Sequence, residues 1–381
     1  MSTEENKAIF RRYIEEVSNQ GNLELANEIF DSYLAHQPDG SVLERSAEDV
    51  KRFEAEFHNA FSDFHATIED QIAEQDKVVT RWRMRGIHQG EFRGMAPTNR
   101  EMELNGIGIF RFSSEGKVVE SWDSYDQLSL MRQSLEQELR VAREIQQALL
   151  PKDLPRFPGY ELSAYYQPAR EVGGDFYDFL DLEDGRLGVV VGDATGHGIP
   201  AALVMANTQS VLRAVAQRGG GGSAPGQALA EANEVLFTYI PPNMFVTCFY
   251  GILDPESGHL VYANAGHNLP CWRHYDEVGE LRARGMPLGL MPGMEYEEKE
   301  TILVPGDGVL FYSDGLIEAH DPQGEMFGTP KLREVVEGQG EEEGEGSLVA
   351  RLLKELSGFV GDGWEQEDDI TLVTLQGLRA T

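Results

Sequence analysis

Four short segments set a carboxylate beside an apolar, strand-like run: GGDFYD from Gly173 to Asp178, VVVGDATGHGIPAAL from Val189 to Leu203, YSDGL from Tyr312 to Leu316, and EDDITLV from Glu367 to Val373. In the second, a β-branched run ends in Gly192-Asp193, turns through Ala194 to Gly198 and becomes helical after Pro200. A single Gly-Asp turn has an ordinary structural explanation. Four carboxylate sites within one region call for another. Aspartates gathered together repel one another unless cations neutralise them, and hard oxygen donors suit Mg²⁺ or Mn²⁺. The chemistry such a set supports is a two-metal centre that activates water for attack on phosphorus.

Past Tyr160, strand patterns at 161–166, 176–182 and 187–191 precede helical patterns at 200–217 and 227–239, and strands follow at 245–253 and 259–265. Strand runs and helix runs cluster instead of alternating, which predicts two antiparallel sheets packed together with helices outside.

The first third is organised differently. Two helical patterns occupy 4–34, one carrying Ile9, Tyr13, Ile14 and Val17, the next Leu23, Leu25, Ala26, Ile29 and Phe30. A third helix is predicted over 47–61, with Val50, Phe53, Phe57 and Phe61 in register. The period then changes to two, predicting strands at 64–73, 77–89, 100–112 and 117–127. Helices followed by a meander make an α+β domain with a curved sheet.

Between the two lies DQLSLMRQSLEQELRVAREIQQALL, 126–150, without Gly or Pro. Leu128, Leu135, Ala142 and Leu149 recur every seven residues, with Met131 and Ile145 at the intervening position, which Glu138 interrupts. A short parallel dimer seam fits this pattern, and so does a helix packed on its own domain. The predicted division is therefore 1–127, a helical linker at 128–150, and 151–381.

Across 381 residues, 32 Lys plus Arg oppose 65 Asp plus Glu, for a net charge of -33. Such acidity argues against nucleic acid or an anionic membrane as partner. Charged residues interrupt every apolar pair at the N-terminus and no run reaches membrane-spanning length, so a soluble, cytoplasmic protein is expected. Cys248 and Cys271 lack metal-ligand spacing and are expected in the core. RGGGGSAPG (218–226) and GQGEEEGEG (338–346) read as solvated loops.

The helix-then-meander order, with GIGIFRFSSEGKVVESWDSYDQLSLMRQ, resembles the SnoaL-like family of cone-shaped α+β domains over about residues 3–133. Cyclase relatives use an aspartate and a histidine in the cone's pocket, for which Asp123 or Asp126 with His88 are the candidates. Trp82, Trp122 and Tyr125 are candidates for an apolar pocket or for plain core packing. The resemblance implies a sensory domain with a small-molecule ligand.

Over residues 143–375, REIQQALLP, EVGGDFYDF, VVVGDATGHGIPAAL, MFVTCFYGILD, YANAGHNLP, GMPLGL, VPGDGVLFYSDGLIEA and EDDITLVTL resemble, in order, the SpoIIE/RsbU-type branch of the metal-dependent PPM serine/threonine phosphatases. The resemblance implies a sandwich of two antiparallel sheets flanked by helices and two Mn²⁺ or Mg²⁺ ions. The ligands implied are Asp175, Asp193 with the Ala194 carbonyl, Asp314 and Asp368, with Asp369 behind Asp368. It also implies in-line attack of water on phosphoserine or phosphothreonine without a phosphoenzyme. Asp178 is expected as a strand residue. His197 is either proton donor to the leaving oxygen or a brace for its turn, Arg170 either a phosphate fork or a surface charge, and His267 with Asn264 a loop brace.

The expected function is a protein phosphatase acting on a phosphorylated anti-anti-sigma (STAS) protein, homodimeric and controlled by its N-terminal domain. Two alternatives stand beside it: a phosphoprotein-binding pseudophosphatase, and a first-domain cyclase or isomerase with a regulatory phosphatase domain.

Overall fold

In the computed structural model the chain divides by internal contacts into Met1–Glu138 and Leu139–Thr381. The structure describes residues 1–37, 39–92, 96–125, 127–182, 185–217, 224–275, 277–338, 347–361 and 363–378, excepting the side chains of 127–134 and 137.

The first unit opens with α1 (Thr3–Arg12), capped by Ser2 and Glu5 in a reciprocal pair that satisfies two orphan backbone donors. It widens into π-helical turns over Tyr13–Asn19. The second predicted helix is shorter than its apolar pattern: α2 covers only Ala26–Ile29, and Phe30 begins a strand, β1 (Phe30–His36), paired with β2 (Val42–Arg45). After α3 (Ala47–Ala60) come β3 (Phe61–Glu74), β4 (Lys77–His88), β5 (Glu101–Phe112) and β6 (Val118–Tyr125). The sheet order is β2-β1-β6-β5-β4-β3, and β1 lies parallel to β6, so the sheet is more than the expected meander. Phe10, Ile14, Val17, Phe30, Val78 and Phe110 are buried together beneath it.

Helix α4 (Gln127–Leu149) follows, and the division between units falls within it. Of its predicted seam, Leu135 and Ile145 are exposed, at 52% and 61%. Leu128 and Met131 lie outside the described side chains.

The second unit holds two five-stranded antiparallel sheets, as the clustering of strand patterns predicts. Its elements are β7 (Tyr160–Gln167), β8 (Asp175–Asp181), β9 (Leu187–Ala194), α5 (Ile199–Ala216), α6 (Pro225–Tyr239), β10 (Val246–Leu253), β11 (His259–Ala265), β12 (Cys271–His274), β13 (Glu277–Glu280), β14 (Glu298–Ile302), β15 (Gly308–Tyr312), α7 (Asp314–Ile317), α8 (Gly328–Glu337), α9 (Leu348–Val360) and β16 (Ile370–Gly377). One sheet runs β14-β11-β10-β9-β8, the other β13-β12-β15-β16-β7.

The sheets meet through Phe249 of β10 and Phe311 of β15, ring centroids 5.4 Å apart, among Val189, Val191 and Val373. Strand β9 is buried on both faces apart from Asp193, which explains its unbroken run of Val. Helices α8 and α9 close a second core over Leu310, Leu372 and Cys271. Both cysteines are free and buried. No helix among the described residues is long and apolar enough to cross a membrane. Residues 218–223 and 339–346, most of the two predicted loops, lie outside the described residues, and Pro225 already begins α6.

Candidate active site

Antiparallel pairing of β8 with β9 sets Asp175 opposite Asp193. Directly opposed residues project from the same face about 5 Å apart at Cβ, so register alone brings the first two carboxylates together. Gly174 supports this strand end. A Cβ there would overlap the Ala194 carbonyl oxygen, and the Ala194 N–H donates to the Gly174 carbonyl at 3.1 Å.

The other two carboxylates come from the second sheet. Asp314 opens α7 after β15, and Asp368 precedes β16. Gly315 packs so tightly on the 368–369 backbone that a side chain would collide with Asp369. Ser313 stitches the two strand ends, its hydroxyl donating to the Asp369 carbonyl at 3.1 Å and accepting from Thr371 N–H at 2.9 Å. Thr371 then reaches across, donating its hydroxyl to Asp175 Oδ2 at 2.7 Å.

The adjacent aspartates have different surroundings. Asp369 is buried and accepts from the N–H groups of Ala169 (2.8 Å), Gly174 (2.6 Å) and Asp175 (3.3 Å). It ties the loop before β8 to the start of β16, and Gly173 lacks a side chain where Asp369 stands. Asp368 is exposed and accepts from the Asp369 N–H at 2.8 Å. In the bend just before β16 the two neighbours point to different sides, Asp369 into the fold and Asp368 to its mouth.

Electrostatics mark the cluster as one that lacks compensation. Burial, then the charges of Asp193 and Asp369, hold the Asp175 carboxyl well above the ordinary range. Burial, then Asp314 and Asp368, push Asp193 up to about 8. Asp314 is raised too, chiefly by burial, and Asp368, although exposed, is raised by partial withdrawal of its carboxyl from water and then by the charges of Asp314 and Asp369. Carboxylates that raise one another in this way are relieved by divalent cations, and an all-oxygen set is what Mg²⁺ or Mn²⁺ prefers. The donor types and charges therefore fit such ions, although among the described residues no three His, Cys, Asp or Glu side chains share the spacing of a ready metal site.

Around this cluster, His197 is exposed in the turn between β9 and α5 and acts electrostatically on Asp368. Arg170 is exposed on the loop whose Ala169 is tied to Asp369. Asp178 is a strand residue occupied elsewhere: Arg213 of α5 grips it with Nε and Nη2 at 2.5 and 2.6 Å. His267 and Asn264 brace their loop. Asn264 donates to the His267 carbonyl at 2.9 Å and accepts its N–H at 2.7 Å, while His267 Nδ1 meets the Thr247 hydroxyl at 2.8 Å.

Sequence reasoning overlooked Thr371, Ser313 and Gln146. The first two sit inside motifs already noted. Gln146, in the REIQQALLP segment, bonds to Gly173 through both ends of its amide.

The model for Stage II sporulation protein E (SpoIIE) matches residues 183–377, half of the chain. The chain belongs to the SpoIIE family. That makes the second unit of this SpoIIE-family chain a protein phosphatase domain, and such phosphatases are metal-dependent. The model for SnoaL-like polyketide cyclase matches residues 8–134, so the first unit is SnoaL-like. Protein IcfG of Synechocystis is 31% identical over 62% of the chain, which spans 41% of that relative's length. Phosphoserine phosphatase RsbU of Bacillus subtilis is 27% identical over 81% of this chain and 88% of its own length. Among solved structures, the SiaA-PP2C domain of Pseudomonas aeruginosa shares the fold, with a TM-score of 0.56 at 21% identity over 65% of this chain and 98% of that one.

In the first unit, the structure separates the residues paired for cyclase chemistry. Asp123 lines an internal cavity, whereas His88 is not among the described lining residues. It is buried, stacked on Phe61 at 5.0 Å, with Thr98 Oγ1 3.4 Å from its Nδ1. Asp126 lies outside the described residues. Trp82 and Tyr125 line the cavity, while Trp122 stacks on His36 at 4.6 Å and is not among that lining.

Proposed function

We propose that this chain hydrolyses phosphoserine or phosphothreonine on a regulatory protein, that this protein is an anti-anti-sigma (STAS) protein, and that the SnoaL-like unit controls the reaction. The observation that carries the activity is the cross-strand pair Asp175 and Asp193, raised together by burial and by the neighbouring carboxylates. The likeness to phosphoserine phosphatase RsbU supports the substrate class. The choice of a STAS protein rests on resemblance to the SpoIIE/RsbU branch.

Asp175, Asp193, the Ala194 carbonyl, Asp314 and Asp368 would hold two Mn²⁺ or Mg²⁺ ions. When bound, such ions polarise a phosphoryl oxygen and lower the pKa of water towards neutrality. The chain's own residues do the rest. Thr371 fixes Asp175 through its hydroxyl, and Asp369 fixes the backbone from which Asp175 projects. Arg170, exposed on that loop, grips the phosphate as a fork. His197, at the mouth, protonates the leaving serine oxygen. Two copies associate along α4, where Leu135 and Ile145 stand exposed.

The test is metal-dependent release of p-nitrophenol from p-nitrophenyl phosphate by the full chain and by Asp193→Asn and Asp314→Asn. Turnover with Mn²⁺ that both substitutions abolish supports the reading. A folded, metal-loaded chain without turnover on this substrate or on a phosphoserine protein sinks it and favours phosphoprotein binding without hydrolysis.

A further inference from the structure

The carboxylates of the candidate site are divided between two sheets and have to keep their spacing against their own repulsion. Asp175 and Asp193 stand on paired strands of one sheet, whereas Asp314 follows β15 and Asp368 precedes β16 of the other. Asp314 heads the charges that raise Asp193. On the Asp175 side the sheets are joined by the Thr371 hydroxyl. On the Asp193 side a histidine spans the same gap.

Strand β10 sets Thr247 opposite Asp193, so Asp175, Asp193 and Thr247 form one row across three strands and project from one face. The Thr247 hydroxyl lies 2.8 Å from His267 Nδ1. His267 sits where the chain leaves β11 and crosses to β12 of the other sheet. Gly266 makes that turn with a φ of 75°, and a Cβ on it would stand 3.0 Å from Pro287. The imidazole is buried, and the backbone of Tyr312, two residues before Asp314, acts on it in a way that favours the protonated ring, as a carbonyl acceptor does. Nε2 is buried without a hydrogen bond of ordinary geometry among the described residues, which leaves it to this backbone contact. A neutral imidazole accepts at one nitrogen and donates at the other, so one tautomer serves both sides: Nδ1 accepts from Thr247 and Nε2–H is directed at Tyr312.

A brace for its own loop would need only the backbone bonds that Asn264 makes to His267. The two ring contacts lie outside that loop, one on β10 beside Asp193 and one at the end of β15 before Asp314. We propose that His267 is a positioning residue, which through Thr247 and Tyr312 fixes the spacing of Asp193 and Asp314 across the two sheets and thereby sets the affinity of the carboxylate cluster for Mn²⁺. The proposal rests on the reading of that cluster as a metal centre.

The experiment is calorimetry of Mn²⁺ binding to the full chain, beside Thr247→Val, which keeps the shape and removes the hydroxyl, Thr247→Ser, which restores it, and His267→Asn, whose shorter side chain does not reach Tyr312. Expected is a dissociation constant raised about tenfold or more in Thr247→Val and His267→Asn, as when a group behind a metal ligand is removed, with Thr247→Ser within about threefold of the unsubstituted chain. If His267→Asn does not fold, the Thr247 pair decides alone. A merely structural role predicts a lower melting temperature with Mn²⁺ affinity unchanged, and that result would overturn the proposal, as would equal weakening by Thr247→Ser and Thr247→Val. Mn²⁺-dependent turnover by the unsubstituted chain, with binding unaltered in Thr247→Val, sinks this proposal alone. Absence of Mn²⁺ binding by the unsubstituted chain sinks the metal reading and this proposal together.

Discussion

Gln146, near the end of α4, holds Gly173 by both of its backbone groups: Nε2 donates to the carbonyl at 2.6 Å and Oε1 accepts from the N–H at 3.1 Å. Gly173 precedes Asp175 by two residues and has Asp369 where a side chain would be. Gln209 adds a second tie, donating to the Leu149 carbonyl at 3.1 Å. The helix that joins the two units in sequence therefore ends on the backbone that presents the first carboxylate.

Replacing Gln146 with Ala leaves both Gly173 groups buried without partners, which costs about 1–3 kcal/mol. The expected outcome is a lower melting temperature and a reduced kcat at saturating Mn²⁺. Unchanged values of both would show that the contact is incidental.

Asp368 and Asp369 should separate cleanly. Asp368→Asn is expected to weaken Mn²⁺ binding, read by calorimetry, with little change in stability, because its carboxylate is exposed. Asp369→Asn puts an amide donor among three backbone donors and should cost about 1–3 kcal/mol in urea unfolding. The reverse pattern would exchange their roles.

A pH effect follows from His267, whose imidazole burial pushes down to about 4. Between about pH 4 and the unfolded value near 6.5, the unfolded chain binds a proton that the native chain refuses. Stability should thus rise with pH across that window and fall on acidification, by up to about 3 kcal/mol from this group. Urea melts at pH 7 and pH 5 should differ less in His267→Asn than in the unsubstituted chain. An equal difference in both would contradict the assignment.

Exposed Leu135 and Ile145 make the seam on α4 testable. Changing both to Glu should shift sedimentation from dimer to monomer and lower phosphatase activity. An unchanged sedimentation coefficient would place the dimer contact elsewhere.

Much of this was legible in the sequence where periodicity is strong. The Val189–Val191 run predicts a strand, and the structure forms β9 there and buries it on both faces. The pattern of 23–30 misled because Leu25, Ala26, Ile29 and Phe30 suit a helical face, while pairing with Val118 to Trp122 of β6 draws Phe30–His36 into the sheet. The four acidic motifs were visible and resemblance placed Asp369 behind Asp368, yet the backbone groups that Asp369 binds were not visible, because they belong to the distant 169–175 segment. Ties such as Gln146 to Gly173 or Thr371 to Asp175 join distant segments, and local pattern carries no trace of them.

The most direct test of the central claim is mass-spectrometric dephosphorylation of a phosphoserine STAS protein by the full chain, with Mn²⁺ or with EDTA, beside Asp193→Asn. The account predicts loss of phosphate with Mn²⁺ alone and none with EDTA or with the substituted chain. Phosphate loss that survives EDTA and Asp193→Asn, or none at all from the folded chain with Mn²⁺, would contradict it.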